Sequence, residues 1–248
     1  QHGAVIGKVA ASCSEALKDL LFPPRCLGCE RRLESSRPPL FCVDCHQALR
    51  FLDSPLCSRC GLPFPTGVDH LCGDCLACLP AFDLARSLFA YQPPVPALIL
   101  ALKFAGQLTG LASLGALAAR SPLLPHFTGP DLVLPVPLHP ARLRERGFNQ
   151  ALLIARACFP HWRSRLDTAL LCRRRSTRPQ AQLSGRERRT NLSGVFALAD
   201  PERVRDRRVL LVDDVFTTGS TVQECSRALA AAGAARIEVF TLARSFAR

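Results

Sequence analysis

The sequence has no methionine, one tryptophan and one tyrosine, and its 32 basic residues include three lysines. Each scarcity excludes something. With aromatics at 6%, the chain is poor in the rings on which single-strand binders stack successive bases. No stretch approaches the roughly 18 consecutive apolar residues of a membrane span, so none is expected. The start, QHGAVIGKVAASC, lacks a methionine, as a trimmed or processed start would. No basic segment precedes an apolar core long enough for a secretory signal. The G-x-x-x-x-G-K-[ST] phosphate loop of ordinary ATPases is missing. No Cys, Ser or Lys is placed as an obvious covalent nucleophile.

What is present points elsewhere. The 248 residues, 48% of them hydrophobic, suffice for one good core and a smaller module, and disorder is not expected. The formal net charge of +12 comes almost wholly from arginine. It reflects either compositional bias or an anionic partner, which arginine's planar fork suits. Of 13 cysteines, nine lie between Cys26 and Cys78. The other four (Cys13, Cys158, Cys172, Cys225) sit in apolar or helical surroundings, where a buried thiol is the default. The clustered ones fall into C-x2-C pairs, CLGC and CVDC, then CSRC and CGDC, with spacers of 12 and 11 residues. Such a turn brings two thiolates to one tetrahedral ion, so eight cysteines imply two closed, structural Zn²⁺ sites and a reducing cytoplasm rather than four disulfides. The expected ligands are Cys26, Cys29, Cys42 and Cys45 on one ion and Cys57, Cys60, Cys72 and Cys75 on the other. Crossed pairing is the alternative, and Cys78, one more x2 step along, competes with Cys75. Gly28, Gly61 and Gly73 are expected to permit the tight backbone.

Three segments follow: an N-terminal helix over 1–23, a double zinc ribbon over 24–80, and an α/β domain over 81–248. Helical apolar spacing over 4–21 ends at FPP. Strands are expected at ARSLFAYQ, DLVLPVP, around Leu170–Cys172, and at VFALA, RVLLVDD and RIEVFTLARS. Helices are expected at PPVPALILALKFAGQ, LTGLASLGALAARS, FNQALLIARACF and after residue 219. This alternation predicts a mostly parallel sheet with helices on both faces. Removing zinc is expected to unfold 24–79 and spare 84–248.

The stretch VLLVDDVFTTGST, residues 209–221, carries the most chemistry. A buried strand is expected to end on Asp213 and Asp214, where ligands sit in such sheets. Alternation sends the two side chains to opposite faces, so at least one carboxylate reaches the crevice. Thr217 to Thr221 then supply hydroxyls and N–H groups at a helix start, an anion site. Acids beside a phosphate cradle suit a 5-phosphorylated ribose: the carboxylates accept from its 2- and 3-hydroxyls and the loop holds its phosphate.

VLLVDDVFTTGST resembles the PRPP-binding signature of type I phosphoribosyltransferases. Together with LFPPRCLGC, ALKFAGQ, PVPLHPARLRERGFNQ and RPQAQLSGRERRTNLSGVF, it makes the chain similar to the ComF/GntX family from about Leu20 to Leu242. The resemblance implies that Asp213 and Asp214 bind the ribose hydroxyls as the catalytic pair. It implies that Val215, Thr217, Thr218, Gly219, Ser220 and Thr221 hold the 5-phosphate, with Mg²⁺ carried on ligand oxygens. It puts a pyrophosphate loop at Pro137, Leu138, His139 and Arg142, where arginine suits a diphosphate. Asn149 and Gln150 are both candidates to read a ligand. The arginine-rich stretch 173–194 corresponds to a flexible loop, with Arg178, Gln180, Arg186 and Arg189 as its candidates. That loop is either a lid on PRPP or a track for a nucleic-acid backbone.

The family role implied is support of DNA uptake and natural transformation, with single-stranded DNA and uptake proteins as partners. Two alternatives use the same pocket: a phosphoribosyltransferase acting on an unidentified base or amine, and a PRPP-sensing regulator. The glutaminase half of an amidophosphoribosyltransferase is absent.

Overall fold

The computed structural model describes residues 23–104, 108–174 and 194–246. The helix expected over 4–21, the end of the helix near Gly106, and Arg178, Gln180, Arg186 and Arg189 lie outside the described residues.

Two short helices, α1 (Val43–Gln47) and α2 (Gly73–Ala77), each begin directly after a cluster cysteine, Cys42 and Cys72. The remainder runs β1 (Leu84–Ala90), α3 (Val95–Phe104), α4 (Leu108–Ala118), β2 (Leu132–Pro135), α5 (Pro140–Arg146) and α6 (Gln150–Cys158). It continues with β3 (Leu171–Arg173), β4 (Phe196–Leu198), β5 (Arg208–Phe216), α7 (Ser220–Ala231) and β6 (Arg236–Arg244). Four strands form a parallel sheet in the order β1-β6-β5-β2. Its strands are nearly continuous apolar runs because both faces are covered.

Alternation along the strands sorts the core into two. Leu210 and Val212 face α3, α4 and α6, through Leu98, Leu114 and Ile154. Val209 and Leu211 face α7 and the β3–β4 pair, through Val222, Leu229, Leu171 and Phe196. Helix α7 is amphipathic in the ordinary way, with Val222, Cys225, Ser226 and Leu229 buried at helical spacing.

The zinc module straddles the sheet. Cys26, Phe41 and Leu49 join the first core, whereas Cys57, Cys60, Cys72, Cys75 and Phe82 join the second. The connection between them runs along the outer edge of β1: Leu52 donates to the Leu88 carbonyl and Ala90 to that of Arg50. An otherwise open strand edge is thereby closed. Because each half of the module shares a core with the sheet, the expectation that zinc loss would spare 84–248 does not fit this packing.

Four expectations on elements need correction. Strand β5 runs through the acids to Phe216 rather than ending on them, because β6 continues beside it (Asp213 opposite Thr241, Phe216 opposite Arg244) while β2 stops at Pro135, opposite Val212. Residues 140–146 form a helix rather than a loop, with Pro140 in its first turn, His139 as cap and Gly147 left-handed at φ 80° beyond its end. Proline at the start and glycine past the end is a helix signature in the sequence. Strand β2 is four residues long, and the prolines at 135 and 137 limit its ladder. Strands β3 and β4 pair antiparallel in a sheet of their own instead of extending the parallel one.

Candidate functional site

The eight paired cysteines gather as two sets, Cys26, Cys29, Cys42 and Cys45, and Cys57, Cys60, Cys72 and Cys75, each with all sulfurs within 4.8 Å of one another. The sequential grouping holds and the crossed one does not. Cys75, not the exposed Cys78, completes the second set. Cys29 and Cys42 lie 3.7 Å apart, as do Cys60 and Cys72. That is far beyond the roughly 2.05 Å of a disulfide and near the ~3.8 Å edge of a tetrahedron with ~2.3 Å Zn–S bonds. Two four-cysteine sites of this kind fit structural zinc.

Backbone N–H groups reinforce the fit. Cys26 Sγ accepts from Gly28 at 3.4 Å and Cys42 at 3.3 Å, and Cys57 Sγ accepts from Cys60 at 3.4 Å and Cys72 at 3.3 Å. Burial pushes the Cys26 thiol up, but N–H groups of Cys42, Gly28 and Cys29 outweigh it and bring the thiol down to about 7. Burial acts likewise on Cys57, and the N–H groups of Cys60, Cys72 and Arg59 bring it down to about 6. A thiol lowered in this way is readily a thiolate, the form that binds metal.

The three expected glycines have different reasons. Gly61 is left-handed at φ 70°, and a Cβ there would lie 2.5 Å from the Ala85 carbonyl oxygen. At Gly28 a Cβ would meet the Pro94 Cβ at 2.6 Å and Cys45 Sγ at 2.9 Å. Gly73 has open space, so neither reason applies there.

Two buried arginines tie the second set to the sheet. Arg86 on β1 is 4% exposed, and its Nη1 donates to the carbonyls of Ala85 at 2.9 Å and Cys57 at 3.3 Å. Arg244 on β6 is 7% exposed; its Nη1 donates to the Cys60 carbonyl at 2.6 Å and its Nη2 reaches Cys60 Sγ at 3.5 Å. Burial pushes the Arg86 guanidinium down, opposed by Asp69, Cys57 and Cys60. It pushes the Cys60 thiol up to about 11, opposed by Arg244. Neither arginine is among the residues expected from the sequence. A lone arginine inside an apolar strand, as in LARSLFA and FTLARS, was the available signal, because it must find acceptors at the sheet surface.

The second candidate region lies where β2 ends and β5 continues. Asp214 follows Leu210 and Val212 onto the α6 face, where Gln150 Nε2 donates to its Oδ2 at 3.4 Å. Asp213 follows Val209 and Leu211 onto the other face, within electrostatic reach of Cys225 on α7 and Arg173 on β3. Each acid also accepts from the next N–H, Asp213 Oδ1 from Asp214 at 2.9 Å and Asp214 Oδ1 from Val215 at 2.8 Å. Gln150 is buried and is itself held by Arg146 Nη1, which donates to its Oε1 at 2.7 Å. Asn149 is committed to structure: its Oδ1 caps α6 through Ala151 N at 2.9 Å and its Nδ2 donates to the Val136 carbonyl at 3.0 Å. Of the two amides, Gln150 is therefore the one at the acid pair.

After Phe216 the chain turns through Thr217 and Thr218 into Gly219, left-handed at φ 72°, which caps α7. Thr218 Oγ1 and Ser220 Oγ are 2.7 Å apart. A Cβ on Gly219 would lie 2.5 Å from the Phe216 ring, so no other residue fits this turn without displacing that ring. Pro137, Leu138 and His139 connect β2 to α5, and His139 Nδ1 accepts from Ala141 N at 3.3 Å. Arg142 lies on α5. Burial and then the like charge of Arg142 push the Arg173 guanidinium down, while Cys225 and Asp213 pull it back. Arg142, Arg173 and Asp213 thus share one field, and Arg173 is a neighbour the sequence reading had only counted within the arginine-rich stretch.

A cavity of about 470 Å³ lies between the second cysteine set and the turn before α7, with Cys60, Cys75, Phe216, Gly219, Ser220 and Arg244 among its walls. Among the described residues, no helix is long and apolar enough to cross a membrane.

A double zinc ribbon domain matches residues 17–76, and a phosphoribosyl transferase domain matches residues 168–248, a range that includes Asp213–Thr221 but not the turn after β2. The chain is 38% identical over 214 residues to the DNA utilization protein YhgH of Escherichia coli (strain K12), covering 82% of this chain and 90% of the relative. It is 35% identical over 230 residues to competence protein F of Haemophilus influenzae, covering 90% and 98%. Competence protein ComFC of Bacillus subtilis is 27% identical over 221 residues, covering 82% and 84%.

Proposed function

The chain belongs to the ComF family, and from that premise we propose that it binds a 5-phosphorylated ribose of the PRPP type beyond the ends of β2 and β5, and that it acts in the uptake or use of DNA. The observation that carries the ligand reading is the run from Asp213 to Ser220, in which two carboxylates near the end of β5 are followed, after Val215 and Phe216, by a hydroxyl-lined turn at a helix start. The acids accept from the ribose hydroxyls, with Gln150 fixing the orientation of Asp214. Val215, Thr217, Thr218, Gly219, Ser220 and Thr221 form the cradle for the 5-phosphate, where N–H groups and the helix dipole favour an anion. Pro137, Leu138, His139 and Arg142 form the pyrophosphate side. Mg²⁺ would be held on the phosphate oxygens of the ligand and would offset their charge there.

The DNA role rests on the names of the relatives and on the arginine excess. Single-stranded DNA and uptake proteins are the partners it implies, and the cytoplasm is the compartment in which reduced cysteine sets keep their zinc. Phosphoribosyl transfer to a base or amine is the reading in which the same acids act catalytically, stabilising an oxocarbenium-like transition state.

Calorimetric titration with PRPP and Mg²⁺, followed by assay of pyrophosphate release across nucleobases, separates these readings. Binding without release is the expected result. Release with one base makes the protein a transferase. The Asp213→Asn, Asp214→Asn double variant should stay folded and lose binding, since an amide presents donors where acceptors are needed, at about 1.5–3 kcal/mol per charge-assisted bond. A wild-type protein that binds neither PRPP nor ribose 5-phosphate at millimolar concentration would overturn the pocket.

A further inference from the structure

Strands β5 and β6 end in register, Phe216 opposite Arg244, and these two residues connect the second cysteine set to the proposed phosphate turn. The Arg244 guanidinium lies 4.2 Å from the centroid of the Phe216 ring. On one side it reaches the carbonyl and the sulfur of Cys60. On the other side the Phe216 ring fills the space where a Cβ of Gly219 would stand, with its nearest atom 2.5 Å from that point. Phe82 meets the same ring edge-on at 6.2 Å. Arg244 Nε has no hydrogen-bond partner among the described residues, so the buried side chain is held by its two Nη groups and its face alone. Cys60, Arg244, Phe216, Gly219 and Ser220 all border the one cavity.

We propose that Arg244 and Phe216 form a relay through which the metal state of the Cys57/Cys60/Cys72/Cys75 site sets the conformation of the Thr217–Thr221 turn, and so the affinity of that turn for phosphate. The chemistry is direct. A zinc ion with four thiolates carries two net negative charges, and Arg244 is a cation placed against one of those sulfurs. Losing the ion changes the charge and position of Cys60, and Arg244 must follow. The ring stacked on Arg244 moves with it, and Gly219 is packed against that ring in a left-handed turn with little slack. The second site is thus a positioning element for the phosphate turn as well as a structural one. Among the described residues the first set has no such link, because Cys26, Cys42 and Cys45 pack on the opposite face of the sheet and Cys29 is exposed.

This inference rests on the phosphate reading of the turn, and the test keeps the two apart. The protein loaded with Co²⁺ in place of zinc reports its thiolate sites by visible absorption. Ribose 5-phosphate should perturb that spectrum in the wild type. The perturbation should vanish in Phe216→Leu, with cobalt content unchanged and ribose 5-phosphate affinity reduced about tenfold. Arg244→Lys keeps the charge but loses the flat face and the fork, and should fall between the two. A purely structural role for Arg244 would move stability but not the ligand-dependent spectrum. If the wild type binds ribose 5-phosphate while its cobalt spectrum stays unchanged, or if Phe216→Leu binds it as tightly as the wild type, the relay is wrong and the phosphate reading survives. If the wild type does not bind ribose 5-phosphate at all, the phosphate reading fails and the relay falls with it.

Discussion

The two cysteine sets have the same ligands and nearly the same spacing, yet they live in different surroundings. Their first turns superpose in hydrogen bonding: Glu30 N donates to the Cys26 carbonyl as Gly61 N does to that of Cys57, both at 2.9 Å. Cys26 N donates to Arg31 as Cys57 N does to Leu62, at 2.8 and 2.7 Å. Beyond the turns the likeness stops. All four cysteines of the second set are buried, whereas in the first Cys29 is exposed and Cys42 and Cys45 are only partly covered. The second set has Arg86 and Arg244 from the sheet beneath it. The first has an ion pair between Arg31 and Asp44, with both side chains about two-thirds or more exposed. The second repeat is enclosed by the sheet domain on all four ligands, while the first shares the sheet's other core through Cys26, Phe41 and Leu49 and leaves its remaining cysteines partly or fully open to solvent. Identical metal chemistry therefore need not mean identical consequences when the metal is lost.

The largest expected effect separates them directly. Structural zinc contributes on the order of 10 kcal/mol to modules of this size. Cys60→Ser should therefore remove one zinc per chain and carry the sheet with it, seen as loss of the cooperative thermal transition by circular dichroism. Cys29→Ser should also remove one zinc but leave that transition in place at a lower temperature. If both variants lose the transition, or both keep it, the contrast between the sets is wrong.

A second, smaller contrast lies in the arginines. Arg86→Met removes the guanidinium that donates to the Ala85 carbonyl and, beside Gly61 N, to that of Cys57, and it removes a buried cation beside the thiolates. A loss of roughly 2–4 kcal/mol in urea unfolding is expected. Arg31→Ala breaks an exposed, screened pair and should leave the urea midpoint where it was. Equal midpoints for the two variants would mean that the sheet does not depend on the second set through Arg86.

These contrasts also show what the sequence discloses and what it withholds. Cysteine spacing pointed to eight ligands in two sets, because each C-x2-C turn is local, but the crossed pairing and the choice between Cys75 and Cys78 were decided only by the fold. The strands of the parallel sheet were legible as apolar runs and the glycine turn as a helix start, but the strand was expected to end on the acids and instead runs two residues past them, because only its pairing with β6 sets that end. The opposite faces taken by the two sets were not legible, since that placement depends on how residues 50–52 lie along β1, a long-range pairing with no local signature. Arg86 and Arg244 were passed over because arginine on a strand is ordinarily solvated, and only the carbonyls of a distant knuckle make burial affordable. The helix at 140–146 had been only the alternative to a loop, a solvated arginine-rich helix start, although a proline start and a glycine stop were both present. The separate β3–β4 pair could not be read from runs of three residues.

The smallest expected effect tests whether the two turns are the same turn. Gly61 and Glu30 occupy equivalent positions four residues after the first cysteine, and both are left-handed, at φ 70° and 62°. A left-handed residue with a Cβ costs roughly 1–2 kcal/mol. In the second set that cost is avoided by glycine, and avoidance is compulsory, since a Cβ would lie 2.5 Å from the Ala85 carbonyl oxygen on β1. In the first set the same turn tolerates glutamate at an exposed position. Glu30→Gly should therefore relieve strain, offset in part by the greater freedom of glycine in the unfolded chain. A net gain of about 0.5–1 kcal/mol is expected, read as slower chelator-driven release of the first zinc. Gly61→Ala goes the other way and should cost roughly 2–4 kcal/mol, because strain and collision add. If Glu30→Gly weakens the first site instead, the glutamate side chain contributes something that the second turn does without, and the two knuckles are equivalent in their hydrogen bonds but not in their energetics.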